Sequence, residues 1–141
     1  MGQYRIKCTH EIKGHSKDIL ALNFTNTDDR WIVTCGKDCQ ARVWDTKSGK
    51  LVVELEKHSD FVNNAMFTSD DCHIISVSSD KHIIVSEIIQ EDVAMNGNGN
   101  AGGSFGTKYK FKTLVKIETK NYRDIELGNN TLVAMGNLPL I

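Results

Sequence analysis

Two stretches of this chain are copies of one another. HSKDILALNFT, from His15 to Thr25, lies over HSDFVNNAMFT, from His58 to Thr68, at an offset of 43. IVTCGKD, from Ile32 to Asp38, lies over IISVSSD, from Ile74 to Asp80, at an offset of 42. The one-residue slip falls between TNTDDR and TSDDCH, where turn-forming residues absorb a deletion with little energetic consequence. Repetition with a period of about 20 to 50 residues marks architectures in which a unit cannot bury its apolar faces alone and stacks on its neighbours. The chain is therefore expected to fold as an array of like units.

Within each unit, short segments rich in Ile, Val and Phe alternate with Gly, Asp, Asn and Ser, which predicts consecutive antiparallel strands joined by tight turns. The predicted strands are Tyr4 to His10, Ile19 to Phe24, Trp31 to Gly36, Ala41 to Trp44, Leu51 to Leu55, Val62 to Phe67, His73 to Ser78 and His82 to Ile88. Tyr109 to Ile117, Arg123 to Leu127 and Thr131 to Met135 follow. Ile19 to Leu22 and His82 to Val85 are apolar on both strand faces, the pattern of sheets sandwiched between two other sheets. Residues 90 to 108, QEDVAMNGNGNAGGSFGTK, hold too little apolar area to offset their chain entropy and read as a disordered insertion after the third strand of the second unit.

Gly14-His15 followed by Trp44-Asp45, with Asp38 in the turn before the Trp, resembles the Gly-His and Trp-Asp signature of WD repeats. The second unit keeps His58 and Asp80 in register but carries Lys57-His58 and Ser86-Glu87 at the signature positions. The first unit is also loosely similar to transducin-β-like repeats. The resemblance implies an all-β fold: an incomplete WD-repeat β-propeller of four-stranded antiparallel blades, about two full blades plus part of a third. Blade one is expected over about 12–56, blade two over about 57–118 and part of blade three over about 119–141, with residues 1–11 as an N-terminal latch strand. The third unit stops in or before its strand c, so closure of the ring is expected to need further C-terminal blades.

In the family, a His before strand a, a Ser or Thr of strand b, an Asp of the b–c turn and a Trp of strand c form a hydrogen-bonded set. By position these are His15, Thr34, Asp38 and Trp44, and in the second blade His58, Ser76 and Asp80, with Ser86 where the Trp belongs. Without the indole, blade two is expected to be the softer. An Asp-His-Ser/Thr set also matches the parts of a hydrolase triad. One active site needs one triad, whereas this set occurs twice, as a structural device of the fold does. No catalytic residue is assigned.

The implied function is non-catalytic: partner proteins or peptides dock on loops at the propeller rim. The rim candidates are Ser16, Lys17, Asp18 and Lys37 in blade one, and Asp60, Phe61 and Ser79 in blade two. A regulatory subunit or nucleotide-exchange-type factor on the same ring is the alternative, followed by a hydrolase.

Composition excludes other classes. With 17 basic against 18 acidic residues, a net charge of -1 gives no field that gathers phosphate, so neither nucleic acid nor anionic lipid is an expected partner. No apolar run reaches the roughly 18 to 20 residues of a membrane span. Cys8, Cys35, Cys39 and Cys72 follow no signal-peptide core, which points to an intracellular location, cytoplasmic or nuclear. Cys35 and Cys39 lack the paired C-x2-C spacing of a zinc site, and no glycine-rich phosphate loop precedes a helix, so no metal or cofactor is expected.

Overall fold

The computed structural model describes residues 2–95, 104–119, 122–127 and 132–136. Ten strands follow one another: β1 (Ile19–Phe24), β2 (Trp31–Gly36), β3 (Ala41–Asp45), β4 (Leu51–Glu54), β5 (Val62–Phe67), β6 (His73–Ser78), β7 (His82–Met95), β8 (Ser104–Glu118), β9 (Tyr122–Leu127) and β10 (Leu132–Gly136). They form antiparallel sheets in the orders β1-β2-β3-β4, β5-β6-β7-β8 and β10-β9, with no helix among the described residues. Two complete four-stranded blades and the first pair of a third are present, each a meander of sequence neighbours.

The pleat sorts each strand's residues between two faces. In β2 and β3, Trp31, Val33, Cys35, Ala41 and Val43 face the second sheet and pack on Val62, Ala65, Phe67 and Ile74. On the far face of the second sheet, Ile75, Val77 and Ile83 form a further cluster, and β9 lies against β5 and β6. Each fully buried Val or Ile removes enough apolar area from water to contribute about 1.5–3 kcal/mol.

The turns repeat as faithfully as the strands. Asp29 and Asp71 hold φ of 50° and 55° in the a–b turns, and Cys39 and Lys81 hold φ of 68° and 69° in the b–c turns. Left-handed backbone is thus set by turn position in both blades, although none of the four residues is Gly.

Three expectations are corrected. Tyr4 to His10 is not a strand: residues 2–13 have no regular pairing, and Tyr4 and Ile6 are fully exposed. A strand requires a partner edge for its N–H and C=O groups, and no described strand offers one to this segment. Residues 90–108 are not one loop: β7 continues to Met95 and β8 starts at Ser104, paired in unbroken register from Gln90↔Tyr109 to Met95↔Ser104. Cross-strand pairing satisfies the backbone of this segment even though its apolar content is low. Only residues 96–103 of that stretch lie outside the described residues. Finally, β1 is not covered on both faces, since Leu20, Leu22 and Phe24 remain exposed.

Candidate functional site

The corner of blade one is built by residues from three elements. His15 precedes β1, Thr34 stands in β2, Asp38 in the β2–β3 turn and Trp44 in β3. Trp44 Nε1–H donates to Thr34 Oγ1 at 2.8 Å. That leaves the hydroxyl proton of Thr34 for His15 Nε2, 2.7 Å away, and assigns the imidazole proton to Nδ1, 3.0 Å from both oxygens of Asp38. All four residues thus join one directional chain of bonds, each worth about 1 kcal/mol net. Gly14 explains the Gly of the signature: a Cβ there would lie 2.0 Å from the Trp44 ring. The indole takes the space a side chain at position 14 would need.

Blade two repeats the geometry with one member changed. His58 Nδ1 lies 2.9 Å from Asp80 Oδ2, and His58 Nε2 lies 2.8 Å from Ser76 Oγ. Ser86 occupies the register position of Trp44, opposite Ile74 as Trp44 is opposite Ile32. It is buried but stands outside the His58–Asp80–Ser76 chain. With no indole to accommodate, position 57 carries Lys without conflict.

Burial by itself raises a carboxyl pKa, yet both aspartates lie below the usual range. At Asp38 the hydrogen bonds from Arg42 and His15 outweigh burial. At Asp80 the Ser59 N–H and His58 do so. Burial also pushes the His58 imidazole down, and Asp80 offsets only part of that. Both sets are charge-stabilised, with the His15 and His58 side chains almost wholly buried, although the blade-one set borders a cleft of about 210 Å³ through His15, Thr34 and Trp44. Cys35 sits in the core, and its thiol is pushed up to about 12 by burial, which makes it a small hydrophobe.

The rim candidates fall on one edge of each blade. Lys37 donates its N–H to the Asp18 carbonyl at 2.9 Å and its Nζ to the Asp18 carboxylate at 2.9 Å, beside exposed Ser16 and Lys17. In blade two, Ser79 donates its N–H to the Phe61 carbonyl at 2.9 Å, beside exposed Asp60 and a Phe61 that is 41% exposed.

Three features were not foreseen from the residues. Arg42 bridges Asp38 Oδ2 at 2.8 Å and Glu54 Oε1 at 3.0 Å. The Asp71 carboxylate clamps blade two to blade one, accepting from Asn26 N (2.8 Å), Asn26 Nδ2 (2.9 Å), Thr27 N (2.9 Å) and Thr27 Oγ1 (2.7 Å). The extended β7–β8 hairpin braces blade one: Tyr109 meets Trp31 edge-on at 4.6 Å between centroids, Phe111 lies at 5.8 Å, and Arg30 donates to the Tyr109 hydroxyl. The motif TNTDD…DD and the KYKFK alternation were the available signals.

The WD domain, G-beta repeat model matches residues 6–45 and 49–85, more than half of the chain. The chain belongs to the WD-repeat family. It is similar to nuclear distribution protein PAC1 of Komagataella phaffii, 29% identical over 84 residues, covering 60% of this chain and 17% of that protein. EARP and GARP complex-interacting protein 1 of Homo sapiens is 31% identical over 77 residues, 53% of this chain and 20% of that protein. Actin-interacting protein 1-2 of Arabidopsis thaliana is 36% identical over 75 residues, 53% of this chain and 12% of that protein. Among solved structures, that of U3-55K superposes with a TM-score of 0.51 at 28% identity, covering 54% of this chain and 25% of that one. The chain thus spans a quarter or less of each of these WD-repeat relatives.

Proposed function

We propose that the chain is a non-catalytic docking scaffold that presents the rim loops of its WD blades to partner proteins or peptides. The observation that carries this reading is the duplicated, buried His–Asp–Thr/Ser set. Each copy is spent on internal hydrogen bonds that fix a blade corner, and the loops it anchors, at 16–18 with Lys37 and at 60–61 with Ser79, are exposed. A nucleophile needs an approach path for substrate. Thr34 Oγ1 and Ser76 Oγ are each bonded to a buried imidazole. Two relatives are named for interacting with actin or with the EARP and GARP complexes, which fits a binding role. Four cysteines without disulfides fit an intracellular setting. Among the described residues, no helix is long and apolar enough to cross a membrane.

The test is quantitative affinity capture from cell extract, comparing the wild-type chain with Asp18→Ala/Lys37→Ala and Asp60→Ala/Phe61→Ala. Partners lost from the rim variants and kept by a distal variant, Lys112→Ala, support the reading. Identical partner profiles refute it, as does ester hydrolysis that disappears in His15→Ala while the fold is retained.

A further inference from the structure

Neighbouring blades meet in the same way at both described junctions. β1 and β2, the first and second strands of blade one, lie against β5, the first strand of blade two. β5 and β6, the same pair in blade two, lie against β9, the first strand of blade three. At the first junction the receiving residues are Val62, Ala65, Phe67 and Ile74, all buried under blade one. Their repeat equivalents in blade one are Ile19, Leu22, Phe24 and Ile32. No described sheet is seated on these. Ile19, Leu22 and Phe24 are exposed, and Ile19, Leu22 and Ile32 line the cleft of about 210 Å³ with Ile12 and Trp44. At the other end of the stack, β9–β10 is again a first-and-second strand pair, with no described sheet beyond it. In an array of like units each unit contacts only its neighbours, so these two end surfaces are the two halves of one repeated junction.

We infer that the Ile19–Leu22–Phe24–Ile32 face receives the β9–β10 pair of a second copy of this chain, so that copies associate head to tail through the same junction that joins their blades. A polar feature fixes the register. At the first junction the receiving blade contributes Asp71, whose carboxylate accepts four hydrogen bonds from Asn26 and Thr27 of the seated blade. Asp29 holds the same turn position in blade one, with the same left-handed backbone. It is exposed, and its carboxylate has no side-chain partner among the described residues. The receiving face of blade one thus carries both parts of the established seat, the apolar patch and the acceptor. Contact between unlike surfaces leaves one of each free after every addition, so association continues until a ring closes.

This surface is separate from the rim loops, so the docking reading and this proposal fail independently. The test is sedimentation velocity of the full chain up to about 100 μM, with fluorescently labelled variants for mixing. Wild type should sediment faster as its concentration rises. Leu22→Lys/Phe24→Lys changes two exposed side chains and should stay monomeric with an unchanged thermal melt. That variant keeps its own β9–β10 pair, so its labelled form should bind wild type saturably and cap its growth, while failing to bind itself. Asp29→Gly keeps the left-handed turn but removes the carboxylate, and should weaken association about fivefold or more. The rim variant Asp60→Ala/Phe61→Ala should associate as wild type does. Wild type that is monomeric throughout, a double variant that self-associates like wild type, or Asp29→Gly with undiminished association would overturn the proposal. A double variant that cannot bind wild type would mean like faces meeting head to head, and a rim variant that no longer associates would place the contact on the rim; either result overturns it as well.

Discussion

Blade one and blade two carry the same hydrogen-bonded corner on faces with different neighbours. Leu22 and Phe24 of blade one are 54% and 49% exposed, whereas their repeat equivalents Ala65 and Phe67 are 0% and 4% exposed, because the inner face of blade one covers them. The substitutions follow that difference. Position 42 is Arg, its side chain 14% exposed and tied to Asp38 and Glu54, while its equivalent Ile84 is fully buried. Trp44 shields the corner of blade one with its own side chain. In blade two, Ser86 at that position is buried, and Trp31 of the neighbouring blade packs on Tyr109 and Phe111 at the junction between the blades. The missing indole suggested a softer second blade. The packing argues the reverse, since coverage by a neighbour replaces what the indole supplied.

The largest test of this contrast is removal of the imidazole. His58→Ala removes a wholly buried side chain, leaves Asp80 Oδ2 and Ser76 Oγ short of a partner, and should cost about 2–5 kcal/mol. His15→Ala leaves Asp38 paired with Arg42 and should cost about 1–3 kcal/mol. Urea unfolding of the two variants decides it, and equal losses would break the comparison.

Gly14→Ala forces a methyl into the Trp44 ring and should cost about 1–3 kcal/mol. Lys57→Ala at the same position of blade two should stay within about 0.5 kcal/mol. In a Trp44→Ser background the Gly14→Ala penalty should vanish, a coupling readable from the same melts.

Acid should act through blade two first. His58 has a lower pKa folded than unfolded, so the unfolded chain takes up its proton first as pH falls. Stability is therefore full above the unfolded histidine value of about 6.5 and declines below it, by up to about 1.4 kcal/mol per pH unit for this one proton. The depressed carboxyls of Asp38 and Asp80 add their loss only below about pH 4. In His58→Gln the decline above pH 5 should disappear, as followed by thermal melts across pH.

The smallest effect should be the same in both blades. Cys39→Gly and Lys81→Gly relieve left-handed backbone at equivalent turns and should each raise stability by about 0.5–1 kcal/mol. Unequal gains would show that the turns are not held alike.

Strand order, turn positions and the pairing of His15 with Asp38 and His58 with Asp80 were legible in the residues, because a two-residue pleat and turn chemistry are local properties and the repeat printed them twice. The same local reading failed at Tyr4 to His10, whose alternation satisfies the strand pattern but whose pairing depends on an edge elsewhere. It failed again at residues 90–95 and 104–108, where pairing within a hairpin orders a segment of poor apolar content. Arg42, the Asp71 clamp and the Trp31–Tyr109 brace were invisible for a related reason. Each depends on which face a neighbouring blade covers: the clamp and the brace join residues 44 to 79 positions apart, and Arg42 lies on the face of blade one turned away from the second blade. The sequence by itself determined a stack of WD blades with fixed corners. Only the tertiary structure decided which corner carries its own tryptophan, which sheet face the next blade covers, and where β7 runs past β6.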